Sequence, residues 1–137
     1  MRYKARLIAQ GFSQRPGIDY METYFPVVNA ITFRYLINLA VHEKLKMRLM
    51  DVVTTYLYGS LDHNIFMKIP EAFKIPEAYK DSRETYSIKL QKSLYGLKQS
   101  GRMWYNRLSE YLLTEGYKND LICPCISIKR SKSKFVR

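Results

Sequence analysis

The chain has 137 residues, 47% of them hydrophobic and 14% aromatic, which suits one domain or part of one and excludes an intrinsically disordered composition. Its formal net charge is +11 and its sequence pI near 9.7, so anionic partners are favoured, nucleic acid first and membrane surface second. No apolar run approaches the ~18–20 residues of a membrane span, and the N-terminus has no secretory apolar core, so an intracellular protein of the cytoplasm or nucleus is expected.

Residues 4–10 interleave basic and apolar side chains, which predicts a strand. Turn signals follow over 11–26, including Arg15-Pro16-Gly17. Phe33, Leu36, Ile37, Ala40 and Val41 recur at helical spacing and predict a helix over about 30–45 with that face in the core. Asn29 or Thr32 is suited to cap its start. Residues 46–52 read as a short strand carrying Met47, Leu49, Met50 and Val52, with Asp51 near its end.

A further strand is expected over 65–69, stopped by Pro70, and a polar loop over 70–85. Tyr86, Ile88 and Leu90 alternate, which predicts another strand, and Tyr95-Gly96 marks a turn. Residues 100–115 read as a helix with Trp104, Leu108, Tyr111 and Leu112 on one side and Gly116 as its C-cap. Residues 125–129 suit a last strand. Strands and helices without a regular βαβ rhythm predict an α+β fold.

Charge is uneven along the chain. Residues 1–50 hold 8 basic and 3 acidic groups, residues 51–85 hold 4 and 6, and residues 86–137 hold 11 and 3. The basic end, with Lys129, Arg130, Lys132, Lys134 and Arg137, reads either as a solvated tail or as a contact for phosphates. Cys123 and Cys125 are placed by their spacing on one strand face, too close for ordinary bridge geometry. A structural zinc site wants four ligands, and only His42 and His63 add to the two thiols, so buried or idle thiols in a reducing compartment are expected.

Asp51 is the most informative carboxylate. At the end of an apolar strand an ionised carboxylate needs a partner or a metal, although a strand-end or capping role also accounts for it. Two-metal nucleotidyl transfer needs several carboxylates around two cations, and the chain has no Asp-Asp, Asp-x-Asp or Glu-Asp pair. Asp62, Asp81 and Asp120 fall in expected loops or turns. P-loop, Gly-x-Ser-x-Gly, His-Glu-x-x-His and Rossmann glycine patterns are absent. Lys92, Lys98, Arg102 and Arg107 are spaced to track a phosphate backbone, while Tyr95 and Trp104 suit base stacking or internal packing.

The same residues carry a family resemblance. Lys4-Ala5-Arg6-Leu7-Ile8-Ala9-Gln10-Gly11-Phe12-Ser13-Gln14 is similar to the fingers strand of copia-type retrotransposon reverse transcriptases. Gly17-Ile18-Asp19-Tyr20, Phe25-Pro26-Val27-Val28 and Thr32-Phe33-Arg34 continue it. Leu49-Met50-Asp51-Val52-Val53-Thr54-Thr55-Tyr56-Leu57-Tyr58-Gly59 resembles the motif holding the first catalytic aspartate. Ser93-Leu94-Tyr95-Gly96-Leu97-Lys98-Gln99, followed by Arg102, Trp104 and Tyr105, resembles the family's most distinctive signature, and Pro124-Cys125 with Ile128-Lys129 matches its next segment.

The resemblance implies part of the fingers and palm of a right-hand polymerase: a short antiparallel sheet with packed helices. Residues 1–45 would be a fingers-side segment and 46–137 a partial palm with an intervening fingers segment. It implies RNA-directed DNA polymerase chemistry in the parent enzyme, with Mg²⁺ or Mn²⁺, an RNA/DNA primer-template and dNTP. Asp51 would be the first metal-binding aspartate. Tyr56 would lie beneath the sugar of the incoming nucleotide. Lys4 and Arg6 fall in the strand that offers cations to the triphosphate, and Tyr95 and Gly96 in the loop beside nucleotide and template.

Departures accompany the match. Val53 stands where lysine is usual, Thr55 where alanine is, Ser100-Gly101 where Ala-Pro is, and Cys123 where aspartate is. The sequence ends before the family's Tyr-Val-Asp-Asp, so a catalytically incomplete, marginally folding fragment is expected. The competing reading is a non-catalytic module that binds nucleic acid or a complete polymerase.

Overall fold

The computed structural model describes residues 3, 5–71, 73–77, 79 and 84–130. Lys4, Asp81, Lys132, Lys134 and Arg137 lie outside the described residues. The chain divides into two compact units, Met1–Tyr24 with Thr54–Trp104, and Phe25–Val53 with Tyr105–Arg137. Helices and small antiparallel sheets are mixed, as the α+β expectation requires.

In the first unit β1 (Ser60–Lys68) pairs antiparallel with β2 (Ser87–Lys92). Ile65 opposes Leu90 and Met67 opposes Ile88, and the register shifts between Ser60 and Ile65. Leu61, His63, Ile65 and Met67 turn to the shielded face, while Ser60, Asp62, Asn64, Phe66 and Lys68 are exposed. This is the alternation of a sheet covered on one side. Ala9, Ile65 and Leu97 form the buried core, with Leu61, Met67, Leu90 and Leu94 packed against it. The strand begins five residues before the expected 65, so Asp62 belongs to β1 and not to a loop.

Residues 5–10 form no strand. Alternation fits a half-buried strand, but a strand also needs a ladder. Here the Ala9 N–H donates to the Tyr95 carbonyl at 2.7 Å and a 3-10 turn (Gly11–Ser13) follows at once.

In the second unit α1 (Ala30–His42) is capped by Asn29, whose Oδ1 accepts from the Thr32 N–H at 2.7 Å. It closes through Lys44, which takes φ 53°, and a bond from Leu45 N–H to the Ala40 carbonyl at 2.8 Å, so the helix stops short of 45. The apolar stripe is right in period but not in burial: none of α1 is buried, and Phe33 and Val41 are 54% and 63% exposed. Of the stripe, Leu36 and Ala40 are half-buried and Phe33, Ile37 and Val41 are exposed, so it is only partly covered. Residues 46–52 also form no strand, and Leu49 and Met50 are fully or largely exposed. With no neighbouring strand among the described residues to pair with, apolar content does not suffice.

Helix α2 (Ser100–Thr114) starts in the first unit and continues in the second. Gly116, at φ +83°, terminates it, with Gly116 N–H bonded to the Leu113 carbonyl and Tyr117 N–H to the Leu112 carbonyl. Trp104, Leu108 and Leu112 are half-buried, whereas Tyr111 is exposed. A short hairpin follows, β3 (Lys118–Asn119) with β4 (Ser127–Ile128). Cys123 and Cys125 therefore lie in the hairpin turn and not on a strand face, which corrects the spacing argument drawn from strand periodicity. Among the described residues no helix is long and apolar enough to cross a membrane.

Candidate functional site

The first unit gathers residues from three distant stretches around the loop that joins β2 to α2. That loop is fixed from below. Ser93 and Ser100 are 0% and 2% exposed, and the Ser93 hydroxyl donates to that of Ser100 at 2.8 Å. The Ser100 hydroxyl donates onward to the Leu94 carbonyl, and the Ser93 N–H donates to the Gly59 carbonyl at 2.9 Å. Every polar group so buried has its partner, which gives the loop one conformation. Ser100 thus starts the helix with a hydroxyl bridge. Gly59 lies against α2, where a Cβ would stand 2.7 Å from Cβ of Met103.

Gln99, 1% exposed, ties the loop to residues 14–19. Its Nε2 donates to the Asp19 carbonyl and its Oε1 accepts from Gln14 Nε2, both at 3.2 Å. Gln14 Oε1 accepts from the Lys98 N–H at 2.8 Å. Neither glutamine is marked in the sequence by a local signal for this role, because the neighbours Ser13, Arg15, Lys98 and Ser100 are polar.

On this base sit the aromatic and cationic groups. Tyr56, in the 3-10 turn Thr55–Tyr58, meets Tyr95 edge to face, with ring centroids 5.1 Å apart at 72°. The Arg6 guanidinium lies over the Tyr95 ring, 5.7 Å from its centroid. Gly96, at φ +91°, lets the chain turn there, and a Cβ at this position would collide with the Ala9 carbonyl oxygen. Arg6, Tyr56, Tyr95 and Gly96 are thereby brought together in one unit. Trp104 packs at 6.4 Å from Tyr58, the internal-packing alternative for that residue.

Asp51 is exposed and belongs to the second unit. Thr54, which opens the first unit's central segment, holds a left-handed conformation at φ 57°. Among the described residues no group of three or more His, Cys, Asp or Glu side chains could hold a metal ion. Of the basic candidates, Lys92 and Lys98 are exposed. Arg102 is engaged internally: its Nη1 is 2.9 Å from Glu22 Oε2 and donates to the Tyr24 carbonyl at 3.1 Å. Arg107, in the second unit, pairs with Glu110 at 3.2 Å one helical turn on.

The family model described as "Reverse transcriptase (RNA-dependent DNA polymerase)" matches residues 1–135. The chain is 42% identical over 120 residues, 88% of its length, to the retrovirus-related Pol polyprotein from transposon RE1 of Arabidopsis thaliana. It is 37% identical over 137 residues, 99% of its length, to that from transposon TNT 1-94 of Nicotiana tabacum. It is 29% identical over 118 residues, 82% of its length and 6% of the relative's, to the transposon Ty1-ER2 Gag-Pol polyprotein of Saccharomyces cerevisiae. The chain spans 8% and 10% of the length of the two plant polyproteins. No solved structure matches it. The resemblance to copia-type retrotransposon enzymes read from the motifs is borne out by these relatives.

Proposed function

Because the chain belongs to the reverse transcriptase (RNA-dependent DNA polymerase) family, we propose that it is the segment of a retrotransposon polymerase that faces the incoming nucleotide and the template. In this reading it comprises fingers-side residues and part of the palm. The observation that carries it is the meeting of Arg6, Tyr56 and Tyr95 beside Gly96. Two aromatic rings offer stacking area and a sugar-sized steric limit, a guanidinium offers charge to phosphate, and Gly96 lets the loop that carries Tyr95 close against the Ala9 carbonyl. By resemblance, Lys4, like Arg6, is assigned to the triphosphate of the nucleotide. Lys92 and Lys98, both exposed, are assigned to the nucleic-acid backbone, whereas Arg102 is held by Glu22 and the Tyr24 carbonyl and Arg107 by Glu110.

Asp51 is assigned as one metal-binding carboxylate of the parent enzyme, where Mg²⁺ or Mn²⁺ would neutralise phosphate charge and activate the attacking hydroxyl. The residues described do not by themselves fit a two-metal centre, since Asp51 is exposed and no carboxylate cluster accompanies it among them. The 137-residue chain alone is therefore assigned binding without turnover. The test is primer extension on an RNA template with Mg²⁺ or Mn²⁺. No extension is expected, and sustained incorporation that Asp51→Asn abolishes would overturn the assignment.

The net charge of +11 favours a second reading, a nucleic-acid-binding module with no link to catalysis. The two separate on Tyr56→Ala. A nucleotide-facing surface loses dNTP binding with that change, whereas a purely phosphate-tracking surface keeps its affinity for nucleic acid.

A further inference from the structure

The turn of the β3–β4 hairpin brings two thiols together in a position that nothing in the polymerase reading uses. Cys123 Sγ and Cys125 Sγ lie 3.2 Å apart, and both residues are half-buried with covalently unbonded side chains. These are the chain's two cysteines. The backbone that carries them is held on every side. The Ile126 N–H donates to the Cys123 carbonyl at 2.8 Å, closing the turn, and the Asp120 N–H donates to the Ile126 carbonyl at 2.9 Å. Asp120 Oδ1 accepts from the N–H groups of Ile122 and Cys123 at 2.9 and 2.8 Å. The Tyr105 hydroxyl donates to the Pro124 carbonyl at 3.0 Å, and Pro124 itself fixes one of the intervening dihedrals.

We propose that Cys123 and Cys125 are a modification site that closes to a reversible intrachain disulfide by exchange with low-molecular-weight disulfides. The two Sγ atoms are already in contact at 3.2 Å, and closure brings them to the ~2.05 Å of a disulfide. The fold has already ordered the segment, so the second thiol acts at high effective concentration. The absence of a third soft ligand in any described cluster favours exchange over a structural zinc site.

With oxidised glutathione the steps balance as follows. One cysteine thiolate attacks a glutathione sulfur, forming a mixed disulfide and expelling one glutathione thiolate. The second cysteine thiolate attacks the protein sulfur of that mixed disulfide, forming the Sγ–Sγ bond and expelling the second glutathione. The protein loses two thiol protons and two electrons, and one oxidised glutathione becomes two reduced molecules. Burial, then the hydrogen bond with Cys123, push the Cys125 thiol above its ordinary value, so exchange accelerates towards alkaline pH.

The experiment equilibrates the full chain with graded reduced and oxidised glutathione, both natively and in concentrated urea. The samples are quenched in acid, alkylated with N-ethylmaleimide, and weighed intact. The expected native product is a monomer lighter by two hydrogens, without alkyl groups, and restored to two alkylatable thiols by reductant. Its midpoint should fall at a glutathione ratio at least ~10-fold more reducing than in urea, reflecting the ordered turn. Cys123→Ser and Cys125→Ser should each stop at a single glutathione adduct. Two free thiols, a doubly glutathionylated chain, covalent dimers, or equal native and urea midpoints would each overturn the proposal.

Discussion

The Gln14 and Gln99 side-chain amides are bonded at 3.2 Å across 85 residues of sequence, and this pair fastens the loop carrying Tyr95 to the segment that follows Arg6. The pair is nearly closed to water on the Gln99 side, where a lost partner is not replaced by solvent. Gln99→Ala is accordingly expected to destabilise the chain by about 1–3 kcal/mol, because it strands the Asp19 carbonyl and the Gln14 amide. Urea unfolding followed through the single tryptophan, Trp104, measures this. A change under ~0.5 kcal/mol, typical of an exposed site, would show that the amide bridge contributes nothing.

Lys44 stands at φ 53° where α1 closes, a conformation that favours glycine. Lys44→Gly should stabilise the chain by roughly 1 kcal/mol, less the added freedom of the unfolded chain. The same unfolding midpoint reads it, and a destabilisation would mean that the lysine side chain contributes more than its backbone strain costs.

Lys98 and Arg102 should respond differently to truncation although their sequence spacing suits both to phosphate. Lys98 is exposed, and Lys98→Ala should reduce the log–log salt slope of primer-template binding by ~0.7–0.9 with the fold unchanged. Arg102 holds Glu22 and the Tyr24 carbonyl, so Arg102→Ala should lower stability by about 1 kcal/mol after allowance for partial exposure. Salt-dependent anisotropy and thermal unfolding on both variants separate a phosphate contact from a structural one.

Alkaline stability carries a signature of Cys125. Its thiol is raised in the folded state by burial and by Cys123, so the folded chain retains a proton that the unfolded chain releases first. Stability from this group is complete below the ordinary thiol value and is lost as pH rises through the raised one. Cys125→Ser should flatten the fall in unfolding midpoint over that alkaline window, in the presence of reductant. An unchanged slope would remove Cys125 as its source.

The elements legible in the sequence were those whose local signal sufficed. Helix α2 is marked by its apolar period and by Gly116, and β2 by the alternation of Ile88 and Leu90. Asn29 shows the start of α1 by its side-chain chemistry alone. Residues 5–10 and 46–52 carry strand-like composition, yet a strand exists only with a neighbour, and that is a property of distant residues. The stripe on α1 is likewise real as a pattern but only partly covered as a surface, since Leu36 and Ala40 are half-buried and Phe33, Ile37 and Val41 exposed.

At the site, motif resemblance named Arg6, Tyr56, Tyr95 and Gly96 one by one. That they meet depends on Gly96 against Ala9 and on Gln14 with Gln99, long-range contacts that no local window contains. Strand periodicity does not hold for Cys123 and Cys125 for a related reason: Pro124 and Asp120 fold that segment into a turn.

The central claim is that the Arg6–Tyr56–Tyr95 surface holds nucleotide and template. Its most direct test is fluorescence anisotropy of a labelled RNA–DNA primer-template titrated with the full chain, beside Tyr56→Ala and Tyr95→Ala, at several salt concentrations. The account predicts salt-sensitive binding to the unaltered chain. It also predicts a loss of about 1–3 kcal/mol of binding on Tyr95→Ala, the value of one stacked base, with an unfolding transition retained. Binding that neither tyrosine substitution changes, or no salt-sensitive binding at all, would contradict it.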